Sequence, residues 1–120
     1  MAAILIIDDD RQMRRLLIRI LNGPGHTVHE AQDGRGGIAL FQQHHPALVI
    51  TDIVMPDMEG IETILALRKA EPDLPIIAIS GGSDPLYLKA AATLGATAAL
   101  AKPFAANELL LLVEGMLDAH

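Results

Sequence analysis

Near the middle of the sequence lies Ala47-Leu48-Val49-Ile50-Thr51-Asp52, in which four apolar residues are followed by a threonine and a carboxylate. A continuously apolar run of this length is typical of a strand that is buried on both faces, as in a parallel sheet covered by helices. The run therefore predicts a central strand over residues 47–51 that delivers Asp52 at its carboxyl end.

Similar apolar runs stand on both sides of this strand and alternate with amphipathic segments. The other predicted strands cover residues 3–7, 27–31, 75–79 and 97–101, of which 27–31 carries polar residues and is expected near an edge. The helical segments begin after Asp10, at Gly34, near Gly60, at Asp84 and at Ala106, and the fourth ends at Gly95. Five strands that alternate with five helices predict an α/β fold, a doubly wound five-stranded parallel sheet with helices on both faces.

Three helix ends carry local signals. Asp10 is the expected N-cap of the first helix, because its carboxylate can accept from a free backbone N–H. Gly36 and Gly37 lie inside the second helix, and each costs about 1 kcal/mol relative to alanine, so this helix is expected to be the least stable. Ala105 precedes the fifth helix without a side-chain acceptor, which predicts a frayed first turn.

Length and composition limit the classes of protein. The 120 residues fit one domain, 51% of them are hydrophobic, and cysteine is absent. The apolar start is too short for a membrane span and is followed at once by acidic residues, so we expect a cytoplasmic protein with no membrane partner. A net charge of −6 argues against direct binding of nucleic acid.

Polar residues interrupt the predicted strands at one end only. Asp8 and Asp9 follow the first strand, Asp52 the third, Ser80 the fourth and Lys102 the fifth. Because the carboxyl ends of parallel strands meet at one edge, where α/β folds bind ligands, these side chains are expected to form one site.

The residue types at this edge suit phosphoryl transfer. Clustered carboxylates repel one another, and a hard divalent cation such as Mg²⁺ relieves that repulsion. Lysine and serine can contact phosphate oxygens, and aspartate is a known nucleophile that forms an aspartyl-phosphate. Singly, each residue could be a turn or a solvated loop side chain, and Asp10 is read only as a helix cap. The histidines form no pattern that indicates a metal site.

These residues resemble the receiver domains of bacterial response regulators in two-component signal transduction, with the single-domain chemotaxis regulator as the nearest architectural analogue. The resemblance covers the whole chain, 1–120, and rests on motifs in a fixed order: Asp8-Asp9, Asp52 to Gly60, Ile79-Ser80-Gly81, Gly95-Ala96 and Lys102-Pro103-Phe104. It implies a flavodoxin-like (βα)5 fold with strand order 2-1-3-4-5.

The resemblance also implies residue roles and partners. Asp52 would accept the phosphoryl group from a phosphohistidine on a histidine kinase or phosphotransfer protein. Mg²⁺ or Mn²⁺ would be held by Asp9, Asp52 and the backbone carbonyl of Val54, with Asp8 acting through water. Lys102, followed by a cis bond to Pro103, would contact the phosphoryl group.

The expected output is a change of surface. Ser80 would move toward the phosphoryl group and alter the surface of the fourth helix, fifth strand and fifth helix, which would regulate an output domain or target protein. Relatives often carry an aromatic switch residue where this chain has Ala99, so that device is absent. Leu110, Leu111 and Leu117 make the fifth helix apolar beyond its inward face, which indicates either a broad core contact or a homodimer surface.

Two other functions compete with this interpretation. A phosphatase resembling the haloacid dehalogenase group would need a second aspartate where Val54 stands, so turnover of phosphate esters is not expected and the chain is read as no enzyme beyond its own phosphorylation and dephosphorylation. A receiver-like scaffold that binds partners without phosphorylation is the second alternative, although it need not keep all the residues of the site. The sequence leaves open the cognate kinase, the signal and the output.

Overall fold

The structure, a computed structural model, describes residues 2–53, 59–81, 89, 92–93 and 95–118. Within these ranges it contains β1 (Ala3–Ile7), β2 (Thr27–Ala31), β3 (Leu48–Asp52), β4 (Ile76–Ser80) and β5 (Ala98–Ala101). The helices are α1 (Arg11–Asn22), α2 (Gly34–His44), α3 (Glu59–Ala70) and the C-terminal helix (Ala106–Asp118). The helix predicted from Asp84 to Gly95 falls mostly outside the described residues, but Lys89, Ala92 and Thr93 have helical backbone.

The five strands form one parallel sheet in the order β2-β1-β3-β4-β5. The predicted fold class and strand order are therefore confirmed, and β2 lies at an edge as expected. Strands β3 and β4 each begin and end one residue later than predicted. As a result Asp52 and Ser80 are the last residues of their strands.

Alternate residues of each central strand enter two separate apolar clusters. Leu5 and Ile7 of β1 face a cluster that includes residues of α2 and α3, whereas Ile4 and Ile6 face residues of α1 and the C-terminal helix. Both faces of the sheet are thus covered, because side chains alternate across a strand. Strands β1, β3 and β4 are almost completely buried, which explains why their sequences are continuously apolar.

Gly37 has a packing role that helix propensity alone does not indicate. A Cβ at this position would collide with the side chain of Ile7 on β1, so the glycine lets α2 approach the sheet closely. Its cost in helix propensity is therefore tied to a contact between helix and sheet. The relative stability of α2 stays a prediction.

The C-terminal helix begins differently from the sequence prediction. Ala105 offers no side-chain acceptor, but its own backbone N–H donates to Oε1 of Glu108 at 3.0 Å. This contact is one half of a capping box, and it satisfies a donor at the first turn. Glu108 thus supplies an acceptor that the sequence analysis did not consider, and fraying of the first turn stays a prediction.

The opposite end of the sheet from the polar edge is held by His26, which is buried. Its Nδ1 accepts from the backbone N–H of Ala2 at 3.1 Å, and its Nε2 lies 2.8 Å from Oε1 of Glu114. His26 thus connects the start of the chain to the C-terminal helix. No sequence pattern predicts this contact, because Glu114 is far from the other two residues along the chain.

Among the described residues, no helix has the length and apolar composition to cross a membrane.

Candidate functional site

The carboxyl end of β1 places Asp8 inside the molecule and Asp9 at its surface. Asp8 is 1% exposed, and its backbone N–H donates to the carbonyl of Ala31, which continues the ladder to β2 beyond the last strand residue. Oδ1 of Asp8 accepts from the backbone N–H of Asp10 at 2.9 Å. Asp10 in turn caps α1 by accepting from Gln12, as predicted.

The carboxyl end of β3 presents Asp52, which is 6% exposed. The following residue, Ile53, donates its backbone N–H to the carbonyl of Ile79 on β4 at 3.0 Å, so the pairing of the two strands extends past Asp52. The backbone that carries Asp52 is therefore fixed by the neighbouring strand.

The first turn of α3 lies directly against this backbone. A Cβ at Gly60 would lie 2.6 Å from the carbonyl oxygen of Asp52 and 2.6 Å from Cα of Ile53. Such a distance cannot be relieved by a side-chain rotation, because the neighbouring atoms belong to the main chain. Gly60 therefore permits the close approach of α3 to the end of β3.

Asp8, Asp9 and Asp52 come together as the sequence predicted. One carboxylate oxygen from each can be chosen so that all three lie within 4.8 Å of one another. The Nζ atom of Lys102, whose side chain is 18% exposed, lies 3.2 Å from Oδ2 of Asp52 and 3.4 Å from Oδ2 of Asp8. The ammonium group thus bridges the two buried carboxylates.

Burial and neighbouring charges both shift the pKa values of Asp8 and Lys102. Burial raises the pKa of Asp8, helped by the nearby Asp52, although the hydrogen bond from Asp10 and the charge of Lys102 oppose the rise. Burial by itself would lower the pKa of Lys102, but the carboxylates of Asp52 and Asp8 outweigh it, so this pKa is raised. Among the described residues, the site brings three carboxylates together beside the ammonium of Lys102, and this excess of negative charge favours binding of a cation.

The donor set fits a hard divalent cation. Three carboxylates at this spacing, two buried and one exposed, match the preference of Mg²⁺ for oxygen ligands with room for water. Val54, whose carbonyl is the further ligand that the resemblance implies, lies outside the described residues.

Ser80 and Lys102 are joined through the backbone at the ends of β4 and β5. The backbone N–H of Lys102 donates to the carbonyl of Ser80 at 2.8 Å, and Ser80 is completely buried. The peptide bond between Lys102 and Pro103 is cis, as the resemblance implies. Ala99 lies on β5 and is exposed.

Arg14 of α1 also contacts this edge, and sequence reasoning did not identify it. Its Nη1 donates to the backbone carbonyl of Asp8 at 2.7 Å, and its Nε donates to Oε1 of Glu30 on β2 at 2.8 Å. The position of Arg14 one turn after the acidic run is compatible with such a contact. Its basic neighbours Arg11, Arg15 and Arg19 share that composition, however, so only the fold distinguishes Arg14 from them.

Comparison with known proteins agrees with this geometry. Residues 4–114 match the family model for the response regulator receiver domain. The response regulator MprA of Mycolicibacterium vanbaalenii is 38% identical over 114 residues, which are 95% of this chain and 49% of that protein. The probable transcriptional regulator ycf27 of Porphyridium aerugineum is 39% identical over 106 residues, 88% of this chain and 44% of that protein. The chain therefore spans about half the length of these curated relatives.

Solved structures share the whole fold. The receiver domain of NtrX from Brucella abortus superimposes with a TM-score of 0.92 at 31% identity and covers 98% of this chain and 99% of that one. The chemotaxis response regulator CheY4 of Vibrio cholerae gives a TM-score of 0.86 at 30% identity, with 97% and 98% covered. With its parallel sheet, its acidic cluster and these matches, the chain belongs to the response regulator receiver domain family of two-component signalling proteins.

Proposed function

We propose that this chain is a phosphorylation-dependent signalling switch whose phosphoryl acceptor is Asp52. The observation that carries the proposal is the meeting of Asp8, Asp9 and Asp52 within 4.8 Å, with Lys102 bridging two of them. Each of these side chains comes from a strand end at the same edge of the sheet. Such a set provides a nucleophile, ligands for a cation and a positive charge for a phosphoryl group.

In the transfer step, a carboxylate oxygen of Asp52 attacks the phosphorus of a phosphohistidine. The new bond joins that oxygen to phosphorus while the bond between phosphorus and the imidazole nitrogen breaks. The nitrogen keeps the electron pair, so the donor histidine leaves as a neutral imidazole once it carries one proton. With acetyl phosphate as donor, the bond from phosphorus to the bridging oxygen breaks and acetate leaves.

Asp9 and Asp52 would hold Mg²⁺ or Mn²⁺ together with the backbone carbonyl of Val54, and Asp8 would act through water. When bound, the cation supplies neutralisation of charge on the phosphoryl oxygens. Lys102 can then exchange a carboxylate partner for a phosphoryl oxygen, since its ammonium already lies 3.2 Å from Asp52.

The response of the surface would begin at Ser80. Phosphorylation adds negative charge and hydrogen-bond acceptors beside the end of β4, and the hydroxyl of Ser80 would move to donate to one of them. Because the Ser80 carbonyl accepts from Lys102, a change at Ser80 also reaches the end of β5. Exposed Ala99 provides no aromatic ring on β5, so the change would be carried by backbone and packing.

The partners follow from this chemistry. A sensor histidine kinase or a phosphotransfer protein would donate the phosphoryl group, and an output domain or a target protein would bind the altered surface. A second copy of the chain would be a further partner, in a homodimer formed through the fourth helix, β5 and the C-terminal helix. The whole chain, residues 1–120, would act as one receiver domain, and its location in the cytoplasm stays a prediction.

The experiment is intact-mass measurement after incubation with acetyl phosphate, with Mg²⁺ or with EDTA. A single phosphoryl adduct is expected with Mg²⁺ and not with EDTA. The matched control is Asp52→Asn, which keeps the shape of the side chain and removes the nucleophilic carboxylate, so it should carry no adduct.

The absence of an adduct on the wild-type chain would contradict the proposal if Mg²⁺ binding is shown separately. Phosphorylation-independent scaffolding would then be the better function. An adduct that persists in Asp52→Asn would place the acceptor at another residue.

A further inference from the structure

Arg14 contacts the acidic site through the main chain rather than through a carboxylate. Its guanidinium lies between α1, the end of β1 and β2, and the side chain is only 13% exposed. Two of its nitrogens are used at short distance, one on the Asp8 carbonyl at 2.7 Å and one on Glu30 at 2.8 Å. None of the residue roles implied by the family resemblance includes this arginine.

The carbonyl of Asp8 belongs to the peptide unit that joins Asp8 to Asp9. The peptide is planar, so an arginine that fixes this oxygen also fixes the direction in which Asp9 leaves the strand. The other side of Asp8 is already fixed, because its N–H donates to Ala31. Both groups of the Asp8 main chain are therefore held, and Arg14 supplies the contact nearer to Asp9.

We propose that Arg14 is a positioning residue for the cation site, acting through the Asp8–Asp9 peptide on the carboxylate of Asp9. The inference rests on the proposed function, because it concerns the same Mg²⁺ site. Asp9 needs this support more than Asp8 does, since Asp9 is exposed while Asp8 is enclosed by its neighbours. Glu30 accepts from the Nε of the same guanidinium.

Arginine suits this position better than lysine. A guanidinium presents several N–H groups in a fixed plane, so it can donate to Glu30 and to the Asp8 carbonyl at once with a defined geometry. A lysine ammonium is a single point of charge on a flexible chain. Lysine at position 14 would therefore keep the charge but hold the peptide less firmly.

Positioning and simple electrostatics predict opposite effects when Arg14 is replaced. Removal of a positive charge beside an acidic cluster should strengthen the binding of a cation by Coulomb's law. Loss of a positioning contact should weaken it, and groups that support metal ligands typically contribute about tenfold or more to affinity. The direction of the change in Mg²⁺ affinity therefore separates the two roles.

The experiment is a Mg²⁺ titration of the full chain, followed by the amide NMR signals of residues 8–10. We expect Arg14→Met to bind Mg²⁺ roughly tenfold more weakly than wild type and Arg14→Lys to lie between the two. The control is Arg15→Met, which removes the same charge from an exposed neighbour on α1 and should leave the affinity equal or slightly higher. In the metal-free protein, the carbonyl ¹³C signal of Asp8 should shift in both Arg14 variants and not in the control.

The outcomes separate the inference from the function on which it rests. Equal or tighter Mg²⁺ binding by Arg14→Met, in a wild-type background that binds Mg²⁺ and accepts phosphate, overturns the positioning role alone. A wild-type chain that neither binds Mg²⁺ nor accepts phosphate overturns both. If Arg14→Met does not fold, Arg14→Lys decides, because it retains the charge and the long side chain.

Discussion

Asp8 is a buried carboxylate that folding places beside other acids. Its side chain has lost almost all contact with water, and it shares the ammonium group of Lys102 with Asp52. The raised pKa of Asp8 states that its charged form is less favourable in the folded protein than in water, chiefly because of burial. The arrangement that attracts a cation should therefore lower the free energy of unfolding of the cation-free protein.

We expect Asp8→Asn to stabilise the protein by roughly 1 kcal/mol at pH 7 in EDTA, the usual size of a single-site effect. The amide keeps an oxygen that can accept from Asp10 but carries no charge. Because the folded pKa of Asp8 is raised above 3.8, wild-type stability falls as the pH rises from that value through the raised one. The advantage of the variant should thus be full at pH 7 and shrink toward pH 4, as measured by urea unfolding.

Mg²⁺ provides the control for this prediction. Excess Mg²⁺ should stabilise wild type more than Asp8→Asn, because a ligand stabilises the state that binds it. A variant that is less stable than wild type at pH 7 in EDTA would show that the Asp8 charge is favourable in the folded protein.

The charge of Lys102 stabilises the folded protein, whereas the charge of Asp8 destabilises it. Its raised pKa means that the ammonium is favoured in the folded state. The contribution of this charge to the free energy of unfolding is therefore complete below pH 10.5 and is lost as the pH rises through the raised pKa. We expect Lys102→Met to lose about 2 kcal/mol at pH 7, less than for a fully buried pair because the side chain is 18% exposed. The loss should be smaller at pH 4, where Asp8, whose pKa is raised, begins to take a proton, and a loss independent of pH would contradict this.

At the scale of elements, the start of α3 packs directly against the main chain at the end of β3. Gly60 allows the helix to lie on the main chain of Asp52 and Ile53, so the position of the proposed acceptor depends on how the helix that follows β3 packs against the end of that strand. A methyl group at Gly60 could be accommodated only by moving one of these backbones.

We expect Gly60→Ala to lower the rate of phosphorylation by acetyl phosphate about tenfold or more, because misplacement of a reacting group by about 1 Å can cost a hundredfold. It should also lose roughly 1–3 kcal/mol through overpacking. The control is Leu21→Ala. Leu21 is fully buried near the C-terminal end of α1, and its replacement lowers stability by leaving a cavity. Equal rates in the two variants at matched stability would contradict a specific effect on Asp52.

The C-terminal helix provides a second prediction at this scale. Glu108→Ala removes the acceptor for the Ala105 N–H and should cost about 0.5–1 kcal/mol in the free energy of unfolding. Glu108→Gln keeps an acceptor oxygen and should cost less. Equal losses in both variants would indicate that the carboxylate acts through its charge at the helix start.

At the scale of the whole molecule, the C-terminal helix is more apolar than its core contacts require. Leu109 and Val113 are fully buried, Leu110 and Leu117 are partly buried, and Leu111 is 74% exposed. The broad core stripe considered from sequence is therefore present at Leu110 and Leu117, which pack against the core, and the interaction surface stays a prediction. Leu111 is the residue that the core does not explain.

We expect sedimentation velocity at increasing concentration to show a dimer that strengthens when a phosphoryl mimic and Mg²⁺ are added. Leu111→Glu should abolish the association, because it places a charge in an apolar contact, while Leu16→Glu, at a similarly exposed leucine on α1, should not. A monomer in both states at all concentrations would contradict the homodimer.

The fold was largely predictable because its signals are local. Runs such as Ala3–Ile7 and residues 47–50 are apolar at every position, since both faces of these strands are buried, and Asp10 marks a helix start by its own side chain. Strand boundaries moved by a single residue in β3 and β4, where the change from apolar to polar residues does not coincide with the last hydrogen bond of the ladder.

The sequence by itself determined the alternation of strands and helices, the identity of the acidic residues and their order at the strand ends. Only the tertiary structure decided which of these acids is buried, that Lys102 bridges Asp8 and Asp52, and that Arg14, Gly60, Gly37 and His26 form specific contacts. The physical reason is distance along the chain. Periodicity and capping act within one or two turns, whereas burial, ion pairing and close backbone approach depend on segments that meet only when the sheet and its helices are assembled.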